Sequence, residues 1–160
     1  MQEEATNSVV SEATFQFDDL LEKLKILNYE RQLLAELKMK PLSKYYFVKS
    51  VNPGEQFYMF TLICWWLCRM LGMDMERPQE YDDPNTVIAN IMKILKDIVS
   101  KAVVFRTNLN SNLWIFCWQD MPSDFQPNKL MKGAGPICMQ VLDVLATQAL
   151  KVAKVGTNSN

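Results

Sequence analysis

Few side chains in this sequence can carry covalent or proton-transfer chemistry. Histidine is absent, so Ser-His-Asp and Cys-His catalysis, imidazole metal ligation and an imidazole pH switch are all unavailable. Four cysteines remain, Cys64, Cys68, Cys117 and Cys138. The first two lie one helical turn apart inside an apolar run, which suits small core residues better than metal ligands. There is no Cys-x-x-Cys pair, so reduced, metal-free thiols in an intracellular protein are expected. The acidic stretch Glu76, Glu80, Asp82 and Asp83 offers oxygen ligands for a hard cation but lacks EF-hand spacing, and a solvated loop is the preferred reading. Lys132-Gly133-Ala134-Gly135 precedes a helix without a Walker ending or a preceding strand, a poor phosphate cradle. No cofactor and no catalytic residue is assigned.

Two groups of residues remain as candidate partner-binding sites. Residues 31–50 carry five bases and one acid, in a chain whose net charge is −1. Within them Lys38, Lys40, Lys44 and Lys49 form a locally basic stretch, for which a solvated face is the plainer reading. Trp114, Phe116 and Trp118 alternate along the chain and would share one face of a strand, either covering the core or anchoring a partner. The near-neutral whole gives no electrostatic case for nucleic acid or an anionic membrane. The most apolar window, residues 57–68, is shorter than the roughly 20 residues a spanning helix needs, so a soluble protein without membrane insertion is expected.

The elements that must position these residues are helical. Residues 1–14 lack apolar periodicity and read as a mobile N-terminal tail, 15–155 as one domain, and 156–160 as a polar C-terminal tail. Phe17, Leu20, Leu21, Leu24 and Leu27 set out a first helix, interrupted at Asn28; Tyr29, Leu33, Leu34 and Leu37 set out a short second one, stopped by Pro41. Asn52-Pro53-Gly54-Glu55 predicts a capping box, with Asn52 at N-cap and Glu55 reaching back to its amide. The helix behind it, with Trp65 and Trp66 adjacent, is apolar nearly all round and belongs at the centre, ending at Gly72. Asp83-Pro84 opens a fourth helix through Val87, Ile88, Ile91, Met92, Leu95 and Ile98. Residues 103–118 read as a hairpin or an aromatic-rich insertion. Pro122 and Pro127 bracket a loop, and Gly135-Pro136 opens a last helix with Cys138, Val141, Leu142, Leu145, Ala149 and Val152 as its stripe. The expected fold class is all-α: about four main helices, short helices and one irregular insertion.

Two blocks are more specific than helix signals. Asn52-Pro53-Gly54-Glu55-Gln56-Phe57-Tyr58-Met59-Phe60 and Pro78-Gln79-Glu80-Tyr81-Asp82-Asp83-Pro84-Asn85 closely resemble the N-terminal domain of the intraflagellar transport protein fifty-seven (Hippi) family. Leu20-Leu21-Glu22-Lys23-Leu24-Lys25 and Met39-Lys40-Pro41-Leu42-Ser43 support the match, which extends over about residues 17–152. The resemblance implies a calponin-homology-like fold and a non-catalytic docking role in a subunit of the intraflagellar transport B complex, in the cilium or flagellum and at the basal body. Its implied partners are a large β-propeller subunit and, through a coiled coil not present in this sequence, clusterin-associated protein one. Direct tubulin or microtubule binding, known for related calponin-homology domains, is the alternative. Residues 103–121 depart from the family pattern as an insertion or a diverged segment.

Overall fold

A computed structural model describes residues 2–108 and 126–157, and among them every regular element is helical. Helix α1 spans Gln2–Ile26, a π-helical turn Glu30–Leu34 runs into the short α2 (Ala35–Leu37), and α3 spans Pro53–Met70. Helices α4 (Pro84–Asn108), α5 (Pro127–Leu130) and α6 (Pro136–Thr157) follow.

Helix α3 occupies the centre, as its all-round apolar sequence predicts: Met59, Phe60 and every residue from Thr61 to Cys68 are buried. Trp65 and Trp66 are both core residues. Helix α6 packs against both α3 and α1, burying Cys138, Val141, Leu142, Leu145 and Ala149. From Pro136 to Lys154, α6 is long and apolar enough to cross a membrane by length and composition; core helices share that property, and these residues are the ones packed on α1 and α3. Burying a leucine- or phenylalanine-sized side chain is worth about 1.5–3 kcal/mol, so this three-helix contact supplies much of the cohesion. Lys23 crosses it, pairing with Asp143 of α6 and Asp19 of its own helix, both at 2.7 Å.

Local sequence fixes the breaks. Asn28 adopts a left-handed conformation, φ 66°, which Asn tolerates better than most residues, so α1 ends there. The short second helix ends before Pro41, at Lys38, φ 54°. There Met39 N–H donates to Leu34 C=O and Lys38 N–H to Ala35 C=O, a Schellman closure with lysine where glycine is usual. Gly72, φ 68°, closes α3 in the same way.

Three elements and one side chain differ from the sequence reading. Helix α1 starts at Gln2 rather than Phe17; residues 2–16 carry no continuous apolar stripe, but Ala, Glu and Gln among them are compatible with helix. Helix α4 continues to Asn108, so residues 103–108 are helical rather than part of a hairpin, β-branched propensity being overridden by propagation from the preceding turns. The loop expected around Pro127 contains the single turn α5, with proline at its first position. Val152 is exposed, off the buried stripe of α6.

Candidate functional site

The lysine stretch 38–49 has no regular secondary structure, yet it is fixed to the helices at several points. Leu42 N–H donates to the hydroxyl of Tyr29, 3.3 Å away, and Tyr29 is completely buried. Phe47 is also completely buried and packs edge-on against Phe17, ring centroids 5.7 Å apart. Gly135 N–H donates to Phe47 C=O at 2.8 Å. On either side of and between these anchors Lys38, Lys40, Lys44 and Lys49 are all exposed. Lys44 Nζ lies 4.9 Å from the centroid of the Tyr45 ring, a cation–π contact.

The strongest clasp is Gln56, 3% exposed. Its Oε1 accepts from Val51 N–H (2.9 Å) and Asn52 N–H (3.1 Å). Its Nε2 donates to the carbonyls of Tyr46 and Lys49. Two donors and two acceptor positions are thereby used, which also fixes the orientation of the amide. The expected capping box does not form. Asn52 is at N-cap, but its side chain makes no capping hydrogen bond; Asn52 Nδ2 donates to Glu55 Oε2 at 3.2 Å. Glu55 also accepts from the Tyr46 hydroxyl at 2.9 Å. The reach-back belongs to Gln56, one residue later, because Glu55 is taken by Tyr46. Burial, reinforced by the Glu55 carboxylate, pushes the Tyr46 phenol up.

The loop 131–135 closes this corner from the other side. Gly133, φ 63°, sits directly on the first turn of α3: a Cβ there would lie 2.1 Å from Phe57 N and 2.6 Å from Gln56 C. That close approach, rather than a phosphate cradle, accounts for Gly133, and a positive φ of 102° accounts for Gly135. Between the lysine stretch and this loop runs a groove of about 380 Å³, lined by Val48, Ser50, Lys129, Lys132, Pro136 and Ile137 among others. Sequence patterning does not single out Lys129 and Lys132, which lie some 80 positions from the lysine stretch; the signal they share with it is a lack of acidic neighbours.

Trp114, Phe116 and Trp118, with Cys117, lie outside the described residues. Cys64, Cys68 and Cys138 are buried free thiols. Burial pushes Cys68 and Cys138 up to about 12 and Cys64 well above the usual thiol range, which leaves them protonated and unreactive at neutral pH. In the acidic loop, Asp83 accepts from Thr86 N–H and Oγ1 (3.0 and 2.8 Å), and Asp82 from Gln79 N–H at 2.7 Å. Hydrogen bonds from Thr86 hold the Asp83 carboxyl below its usual range. These carboxylates cap a helix and close a turn, and no group of three or more metal-ligating side chains converges among the described residues. A second concavity, about 710 Å³, lies between residues 72–76 and α4, with Asp74, Glu76, Lys93 and Asp97 on its walls. Trp65 is flanked by Arg69 and Arg77, 4.9 and 5.2 Å from its ring centroid, and Arg77 pairs with Glu36 at 2.7 Å.

Known proteins resemble the chain through this region. The intraflagellar transport protein 57 homolog of Drosophila melanogaster is 65% identical over 142 residues, 89% of this chain and 30% of that protein. The homolog of Homo sapiens is 40% identical over 134 residues, 84% of this chain and 26% of its own length. Intraflagellar transport protein che-13 of Caenorhabditis elegans is 37% identical over 135 residues, 83% and 28% respectively. The chain thus spans between a quarter and a third of the length of these curated relatives. The family model described as intra-flagellar transport protein 57 matches residues 17–111. That match takes in more than half of the sequence, and the chain belongs to the intra-flagellar transport protein 57 family.

Proposed function

We propose that this chain is a non-catalytic docking domain of an intraflagellar transport subunit, with a calponin-homology-like fold, which holds another subunit of the B complex at the cilium and basal body. The large β-propeller subunit is the proposed partner of this domain, and clusterin-associated protein one the proposed partner of the rest of the protein. The observation that carries the reading is the family membership, joined to a folded basic surface: Lys38, Lys40, Lys44 and Lys49 are exposed on a segment held rigid by Tyr29, Gln56 and Gly135. An irregular segment fixed on a helical scaffold is the usual way to present recognition groups. The polar side chains inside the fold serve structure: Gln56 clasps the segment, Lys23 joins helices, and the three thiols stay protonated.

The same exposed lysines support a second reading, in which the domain binds the acidic surface of tubulin. The test uses the tagged domain as bait in ciliary extract, beside co-sedimentation with microtubules over a salt series. Docking predicts retention of transport subunits, with little microtubule binding at physiological salt, where screening acts beyond about 8 Å. Microtubule binding that titrates away with salt, without retention of transport subunits, would replace docking by the tubulin reading.

A further inference from the structure

Two stretches distant in sequence share an unusual charge pattern. Residues 38–54 contain four lysines and no carboxylate, and residues 126–142 contain Lys129 and Lys132 and no carboxylate. The chain as a whole is net −1, so the remainder is clearly negative. The fold brings the two acid-free stretches together at the bond from Gly135 N–H to Phe47 C=O. The groove of about 380 Å³ lies along this seam. Val48, Ala134, Pro136 and Ile137 give it apolar walls, and Lys129 and Lys132 stand at its edge, both exposed.

Helix α6 opens onto the groove at Pro136, and its first turn carries no acidic side chain. The positive end of its dipole is therefore left without a neutralising carboxylate there. Glu55 is engaged by Tyr46 and Asn52, and Asp18 acts electrostatically on Lys44. Neither belongs to the groove lining.

We infer that this groove is a binding site for a partner's peptide segment in which carboxylates alternate with apolar side chains, the apolar groups lying against Val48 and Ile137 and the carboxylates pairing with Lys129 and Lys132. The inference rests on the docking reading above and names its surface and ligand chemistry. Charge complementarity selects the acidic partner. The apolar walls select against a purely charged chain, because a fully hydrated anion gains nothing from covering Val48 and Ile137. The surface differs from the lysine stretch taken alone: its specificity lies with Lys129, Lys132 and Ile137, outside residues 38–49.

The test is a fluorescence-anisotropy titration with labelled Glu-Leu-Glu-Asp-Phe-Glu-Glu-Leu, its Gln/Asn counterpart, and an oligo-glutamate of equal length. Amide shifts are mapped on isotope-labelled protein. The inference expects the acidic-apolar peptide to bind best and to shift Val48, Ser50, Lys129, Lys132 and Ile137. Lys129→Glu with Lys132→Glu should weaken it about tenfold or more, as expected for reversing two rim charges, with an unchanged thermal melt. Should that pair disturb folding, Lys129→Gln with Lys132→Gln replaces it, with a smaller loss expected. Equal binding by oligo-glutamate, preference for phosphatidylserine vesicles or a short RNA, or no effect of either lysine pair overturns the inference. Failure of the two readings is separable. If the Lys129→Glu, Lys132→Glu bait still retains transport subunits from ciliary extract, the groove falls and docking stands. If the unaltered bait retains none while the peptide still binds at the groove, docking falls instead.

Discussion

Gly133 lies so close to Phe57 that a single added methyl group would stand 2.1 Å from the Phe57 backbone nitrogen. The contact presses the loop before α6 onto the first turn of α3, where Gln56 clasps the lysine stretch from the other side. Gly133→Ala combines a left-handed φ with a backbone clash, neither of which side-chain motion relieves. We expect it to destabilise the domain by about 2–4 kcal/mol, measured as a shift in denaturant midpoint at constant slope.

Gln56 and Asn52 should contrast sharply. Gln56→Leu removes the shared partner of two amides and two carbonyls, four part-buried hydrogen bonds in all, and about 2–4 kcal/mol of destabilisation follows. Asn52→Ala removes only the exposed contact to Glu55, so the loss should stay below about 0.5 kcal/mol. Paired urea titrations check the order; an Asn52 effect as large as that of Gln56 would reinstate a side-chain cap at the start of α3.

Alkaline pH should weaken the fold. The thiols of Cys64, Cys68 and Cys138 ionise above their ordinary value of 9.0 when folded, Cys68 and Cys138 at about 12. Between those limits the unfolded chain has released protons that the folded chain retains, so stability is full below pH 9 and falls as pH rises toward 12. Each buried thiol contributes a slope of up to about 1.4 kcal/mol per pH unit. Denaturant midpoints from pH 8 upward test this, and Cys68→Ala should flatten the decline.

Lys23 supplies a separate contribution. Burial disfavours its ammonium, but the hydrogen bonds to Asp143 and Asp19 outweigh burial and raise its pKa above 10.5. Its stabilisation is complete below pH 10.5 and is lost as pH climbs through the raised value. A double-mutant cycle of Lys23→Met with Asp143→Asn should return a coupling of about 1 kcal/mol or less, since both groups retain solvent contact.

The sequence made the helical class, the centrality of α3, the burial of Trp65 and Trp66 and the left-handed Gly72 legible, because each follows from periodicity or one residue's backbone preference. What escaped it depends on contacts between distant segments. Gln56 reads as one more polar residue in a helix until Tyr46 and Lys49 present carbonyls to it. Gly133 reads as part of a loose loop until the backbone of Phe57 arrives beneath it. Lys129 and Lys132 read as ordinary surface cations until Val48 and Ser50 form the opposite wall. The N-terminal part of α1 has no apolar stripe, so periodicity alone could not have marked its start at Gln2.

Lysine cross-linking of the full-length protein within the isolated transport complex tests the docking claim most directly, because the proposed surface is itself built of lysines. The account predicts that Lys44, Lys49, Lys129 and Lys132 cross-link to a second transport subunit, and that Lys129→Arg with Lys132→Arg removes the links at those two positions while the complex stays intact. If these four lysines yield only links within the chain, while deletion of residues 1–160 leaves every subunit associated, the docking account is contradicted.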